Sequence, residues 1–287
     1  MSSSSIDACV MILEPKNINL SDSHVMAIVN LTPDSFYSES RNDDFDAAIK
    51  AVERAASEGA TIVDLGGYSS RPGADDVAVE EEWRRVCMGL EAVQRVDAGV
   101  VVSIDTFRSE IVRRAVDGYG DIIVNDISAG EIDPEMVPTV ARLGLNYVAM
   151  HMRGTPSTMQ QMTSYDSGVT EGVVSYFRHR VMQLESAGIA RQRIILDPGF
   201  GFAKNVEQNF ELLKGLDSIR ALGYPLLIGV SRKSMIYRSL DIKPEEALPG
   251  SLALAWQALQ GGNTILRVHD VAATMQVLRL SNIYNHR

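Results

Sequence analysis

The chain has 287 residues, 45% hydrophobic and 22% charged, with a formal net charge of −10 and a pI near 5.0. That acidic balance argues against nucleic acid or an anionic membrane as partner, since both need a basic face; it leaves an anionic small substrate open, because a pocket can be locally positive. With no basic, apolar leader and no run long enough to cross a bilayer, the sequence reads as a soluble cytoplasmic protein, and Cys9 and Cys87, lacking metal-ligand spacing, read as two reduced thiols.

Short apolar runs recur along the chain, at His24–Asn30, 61–67, 100–106, 121–126, 146–152, 193–199, 225–231 and 264–270. Their length, β-branched content and continuous apolarity suit strands covered on both faces. Amphipathic stretches lie between them, and the spacing predicts helices over 45–59, 78–96, 108–118, 133–144, 166–188, 206–223, 248–261 and 271–284. Alternating strands and helices without a composition break imply parallel strands joined by crossover helices. Eight such units point to a single (β/α)8 TIM barrel of class α/β, one domain over 1–287 with 1–22 as an N-terminal extension. An open doubly wound sheet fits the periodicity too, but no G-x-G-x-x-G follows any strand.

Nearly every run ends in a polar or ionisable residue: Asn30, Asp105, Asn125, His151, Asp197, Ser231 with Lys233, then Arg267 and His269. Caps and strand terminators account for some of these, Asp126 and Asp270 among them. The whole set is better read as a site, because the carboxyl ends of parallel barrel strands converge on one mouth. Arg267 and His269, two apart, share a face, as do Ser103 and Asp105. Asp64, mid-run in the second strand, is read as a buried structural carboxylate and left out of the site. Lys233, Arg267, Arg71 and His269 gather donors suited to a di- or triphosphate-like anion. After the sixth strand, Gly199 and Gly201 permit tight backbone near a flat ligand; Phe200 and Phe202 could stack on it or anchor the loop.

At eight ordered places covering nearly the whole chain, the sequence resembles the dihydropteroate synthase family: NLTPDSF (30–36), DLGGYSSRPGA (64–74), SIDT (103–106), NDIS (125–128), MHMRGTPSTMQ (150–160), DPGFGFAK (197–204), GVSRKS (229–234) and RVHD (267–270). The resemblance implies a transferase of folate biosynthesis, of the class targeted by sulfonamides. It would condense 6-hydroxymethyl-7,8-dihydropterin pyrophosphate with 4-aminobenzoate, assisted by Mg²⁺, as a homodimer. It implies catalytic roles for Asp105, Lys233, Arg267 and His269, a metal contact at Asn30, and a substrate site drawn from Asn30, Ser70, Arg71, Pro72, Asp105, Asn125, Met150, Asp197, Phe202, Lys233, Ser234, Arg267 and His269. In that reading Asp197 accepts from the amidine-like edge of a pterin and Asn125 complements it, while Asp105 steadies a positive charge on the ring. Tyr68 stands where the family has glutamate, and Tyr37, Ser38, Glu39 and Ser40 depart from its first loop.

Three rivals are weighed. A pterin-binding methyltransferase domain shares the barrel but lacks the SRK, RVHD, NLTPDSF and SSRP segments. A non-catalytic pterin-binding paralogue is favoured by loss of Asp105, Lys233 or Arg267, and all three are present. A phosphate-binding barrel isomerase needs a glutamate at a strand end, and no run ends in one.

Overall fold

In the computed structural model, residues 18–32, 41–68, 76–155 and 158–285 are described. Eight parallel strands among them close into a barrel in sequence order: β1 His24–Asn30, β2 Ile62–Gly66, β3 Val101–Asp105, β4 Ile123–Asp126, β5 Asn146–Met150, β6 Ile194–Asp197, β7 Leu226–Ile228 and β8 Thr264–Val268. The strand that follows β7 in space is β8, and β8 pairs with β1, Met26 opposite Arg267. Each strand falls inside its apolar run. Around them lie α1 Arg41–Ser57, α2 Val79–Val96, α3 Ser109–Tyr119, α4 Met136–Leu143, α5 Val169–Ser186, α6 Val206–Lys214, α7 Leu216–Arg220, α8 Ser234–Leu240, α9 Leu248–Ala258 and α10 Val271–Asn285.

One helix expectation needs correction, and one helix was not expected. The 206–223 stretch is broken into α6 and α7 at Gly215, which closes α6 with N–H bonds to Glu211 and Leu212; a Cβ there would sit 2.4 Å from Thr170 Cγ2 of α5. Between β7 and α9 lies α8, seven residues long and too short to carry a helical period.

Side-chain alternation divides the core in two. Outward residues such as Val63, Leu65, Ile104, Val124, Tyr147, Leu196 and Ile228 pack against the helices in one continuous apolar layer. Met26, Ile62, Ile123, Val148, Ile195, Leu227 and Ile265 form a separate cluster inside the barrel, with Val101 packed on it. Ile18 and Leu20 cover this cluster from below, Ser23 Oγ accepts from the Thr264 N–H at 3.2 Å, and His24 Nε2 lies 2.8 Å from the Asn19 carbonyl. Residues 18–22 therefore seal the barrel floor; 1–17, with Cys9, lie outside the described residues. Cys87 is a free thiol. Among the described residues no helix is long and apolar enough to cross a membrane.

Candidate active site

Two positions beyond the floor cluster on successive strands stand Asp64, Ser103, Asn125, Met150, Asp197 and Arg267; two further on are Asn30, Gly66 and Asp105. Period-2 alternation points them all into the barrel. The apolar plug thus gives way, one layer up, to polar side chains that bond one another or the backbone beside them.

Asp64 is the hub. Fully buried, it accepts from Ser103 Oγ at 2.6 Å, Asn125 Nδ2 at 3.1 Å and Arg267 Nε at 2.6 Å. Arg267 Nη2 donates to Asp105 Oδ2 at 2.7 Å, so one guanidinium bridges two carboxylates. Burial works against that charge, but Asp64 and Asp105 together hold Arg267 protonated beyond its ordinary range. Burial pushes the Asp105 carboxyl up to about 7, with Arg267 opposing and Asp64 adding to the rise. Setting Asp64 aside at the sequence level was half right: it is a buried structural carboxylate, yet it orients two of the expected site residues.

Across the mouth, Asp197 is buried and accepts from the Gly199 N–H at 2.8 Å. Burial raises its pKa; Lys233, the Gly199 N–H and Arg267 pull it back. Lys233 donates to the Phe200 carbonyl and lies 4.8 Å from the centre of the Phe202 ring. Burial lowers its pKa to about 8 against the pull of Asp197. Met150, Ile127, Met152, Met159 and Ala203 form an apolar cluster beside this polar layer, with Phe107 and Phe202 against it. Of the two phenylalanines weighed, Phe200 is the loop anchor, fully buried in the outer core, and Phe202 is the one at the mouth.

The β7 and β8 tips are tied together. Arg232 bonds Asp270 through Nε at 2.8 Å and Nη2 at 2.7 Å, and Ser231 Oγ lies 3.1 Å from His269 Nδ1. That pins Lys233, Ser234 and His269 at adjoining strand ends, with His269 exposed. Asn30 ends β1 with its Oδ1 3.7 Å from where a Cβ on Gly66 would lie; Asp105 Cβ is 3.8 Å from the same point, so Gly66 leaves open the space between them. Ser70, Arg71, Pro72 and Glu39 lie outside the described residues. Tyr68 donates to Asp76 Oδ1 at 3.3 Å and meets Phe107 edge-on.

Sequence reasoning missed a second group that buttresses these residues. Glu82, fully buried on α2, accepts from Thr106 Oγ1 and Arg108 Nη1, each at 2.6 Å, and so locks the chain just past Asp105. His151, read as a site residue at a strand end, is buried instead against Lys204 Nζ. A glutamate inside a helix gives no positional signal, so Glu82 was not legible. Among the described residues no group of three or more His, Cys, Asp or Glu side chains is placed to hold a metal ion.

A carboxylate–guanidinium network facing a second carboxylate, a lysine and an apolar wall can hold a flat heterocycle by its edge and balance an anionic tail. Comparisons with known proteins agree. Residues 26–269 match the family described as pterin binding enzyme. The dihydropteroate synthase of Escherichia coli strain K12 is 43% identical over 265 residues, 92% of each chain. The structure superimposes on Yersinia pestis dihydropteroate synthase in a sulfonamide drug complex with a TM-score of 0.87 at 36% identity, covering 96% of this chain and 99% of that one. It matches Xanthomonas albilineans dihydropteroate synthase with 4-aminobenzoic acid at a TM-score of 0.85 and 39% identity, covering 94% and 96%. On the strength of that identity over nearly its full length, the chain belongs to the dihydropteroate synthase family of pterin-binding enzymes.

Proposed function

We propose that this transferase of folate biosynthesis joins 6-hydroxymethyl-7,8-dihydropterin pyrophosphate to 4-aminobenzoate with pyrophosphate leaving first. The observation that carries this reading is the bond between Asp105 and Arg267 at the mouth, opposite Asp197 and Lys233. Asp197 accepts the parallel N–H donors of the pterin edge, Asn125 supplies complementary amide groups, and Lys233 donates to the ring carbonyl or nitrogen. The exocyclic C–O bond breaks with its electron pair going to pyrophosphate. The positive charge left on carbon spreads into the ring, where the Asp105 carboxylate stabilises it. The amine lone pair then forms the C–N bond and the nitrogen loses a proton. A weak aromatic amine needs placement more than deprotonation, and Phe202 with Ser234 supplies a wall for it.

Arg267 and His269 balance the departing pyrophosphate. Asn30 would hold Mg²⁺ through its amide oxygen together with the pyrophosphate oxygens, and the ion supplies countercharge to the leaving group; a hard cation that keeps most of its water needs few protein ligands, which fits a lone amide beside the open space over Gly66. Residues 1–287 are read as one barrel domain, cytoplasmic, and paired as a homodimer in which each barrel carries its own site. The test is direct. Purified protein mixed with the pterin pyrophosphate, 4-aminobenzoate and Mg²⁺ should yield a product with the mass of dihydropteroate, and its absence with all three present overturns the reading.

A further inference from the structure

The loop after β6 encloses a cation that the condensation does not call on. Lys204 is 3% exposed, and its Nζ lies 3.0 Å from His151 Nδ1, 2.9 Å from the Gly199 carbonyl oxygen and 2.9 Å from the Phe202 carbonyl oxygen. An ammonium has three N–H donors and no acceptor, so these partners use it completely, with His151 in the tautomer that leaves Nδ1 bare. Burial draws the lysine down to about 7, with Asp197 opposing and Lys233 and Arg153 reinforcing. Burial likewise keeps His151 neutral, helped by Lys204. Buried lysines are uncommon and costly unless every proton is matched, as here.

The chain is bent to fit this ammonium. Gly199, Gly201 and Ala203 have positive φ of 71°, 82° and 52°, and a Cβ on Gly199 would come 2.0 Å from the His151 carbonyl oxygen. Ala203 holds a left-handed backbone that an L side chain disfavours, so the turn needs something to hold it. Asn209 Oδ1 takes the Gly201 N–H at 2.7 Å, Tyr165 donates to the Ala203 carbonyl at 3.1 Å, and Lys204 ties residue 199 to residue 202. What the turn presents to the barrel mouth is Phe202, packed with the Met150 cluster.

We propose that Lys204 is a positioning residue: residues 199–203 coil around its ammonium, and that coil fixes the Phe202 ring as the wall against which the aromatic amine is held. The proposal rests on the reading of Phe202 as part of the 4-aminobenzoate site. Lys204→Met keeps the apolar stem and removes all three donors, leaving the Phe202 carbonyl unmatched and the Gly199 carbonyl with only the Phe202 N–H of the turn itself.

In steady-state kinetics on the full chain, Lys204→Met should raise KM for 4-aminobenzoate roughly tenfold, a single lost contact's worth, while kcat and KM for the pterin pyrophosphate stay within about threefold. Phe202→Ala should raise the same KM, and adding Lys204→Met to it should change little, because the lysine acts through that ring. Lys204→Gln retains two N–H donors and should recover part of the loss; it carries the same comparison where the methionine variant does not fold. A lysine that merely supports the barrel would lower the melting temperature, raise both KM values together and add to Phe202→Ala, and that pattern overturns the proposal. So does failure of both Lys204 variants to fold. A wild-type protein that makes no dihydropteroate sinks the reaction assigned above, whereas an active wild type beside a variant with unchanged amine KM sinks only the role of Lys204.

Discussion

At Asp105 two demands meet in one carboxylate. It must be ionised to stabilise a ring cation, yet burial pushes it up to about 7 and only Arg267 among its principal influences pulls it down. Asp105→Asn keeps the shape and deletes the charge, so turnover should fall roughly 10²–10³-fold with little change in pterin affinity; a near-wild-type rate in a steady-state assay would remove Asp105 from the mechanism. The pH dependence follows with its sign. A carboxyl titrating near 7 is neutral below that pH, so kcat/KM for the pterin pyrophosphate should drop on the acid side; Lys233, drawn down to about 8, loses its charge above that and should drop it on the alkaline side. A pH–rate profile should therefore be a narrow bell whose limbs belong to the coupled site, and Lys233→Gln should lose the alkaline limb. A profile flat from pH 6 to 9 contradicts both assignments. The positions of Asp105, Asn125, Asp197 and Arg267 were legible because each closes an apolar run. Their bonding was not. Arg267 is 203 residues from Asp64 and 162 from Asp105, and no local pattern records that barrel closure lays β8 beside β1 and brings the three together.

At the level of elements, all eight strands were readable, since a strand covered on both faces leaves an unbroken apolar run. What escaped were features set by a neighbour in space. Gly215 looks like any mid-helix glycine until Thr170 is seen against it, and α8 has too few residues to show a period. Gly89 on α2 is a third case. Replacing a helix-interior glycine with alanine ordinarily gains about 1 kcal/mol. Here the new Cβ would sit 2.6 Å from Leu31 Cδ1, 3.2 Å from Leu65 Cδ1 and 3.3 Å from Leu65 Cδ2, and both leucines are buried in the outer core. Overpacking of that kind costs about 1–3 kcal/mol. The clash should win: Gly89→Ala should melt lower, by roughly 2–4 °C for each net kcal/mol, in a calorimetric scan. It should also disturb β1, because Leu31 follows Asn30 directly. A raised melting temperature would show that Leu31 and Leu65 yield to the added methyl and that helix propensity wins.

For the whole molecule, the surface of α10 departs from what an isolated acidic chain needs. Leu280, Ile283 and Tyr284 are 58%, 63% and 64% exposed, and their i, i+3, i+4 spacing sets them on one helical face, with Tyr284 edge-on to Trp256 at 5.6 Å between ring centres. Large apolar side chains grouped in this way mark a contact surface more often than a solvated one, and in a homodimer the same patch would meet its own copy across a twofold axis. Repulsion between two chains of net charge −10 opposes association most at low salt, so added salt should strengthen the pair while leaving its apolar centre intact. The expected sedimentation mass is twice the 31.4 kDa of the chain. Ile283→Asp puts a charge in the middle of the patch, where it would be desolvated without a partner, and should yield the single-chain mass, with a melting temperature lowered by the lost association and no longer dependent on protein concentration. The α10 patch lies on the helical shell, outside the barrel mouth that holds Asp105, Asp197 and Lys233, so this variant should keep the kcat of the wild type. A wild type that sediments as one chain at micromolar concentration in 0.5 M salt would refute the patch as an interface without touching the chemistry.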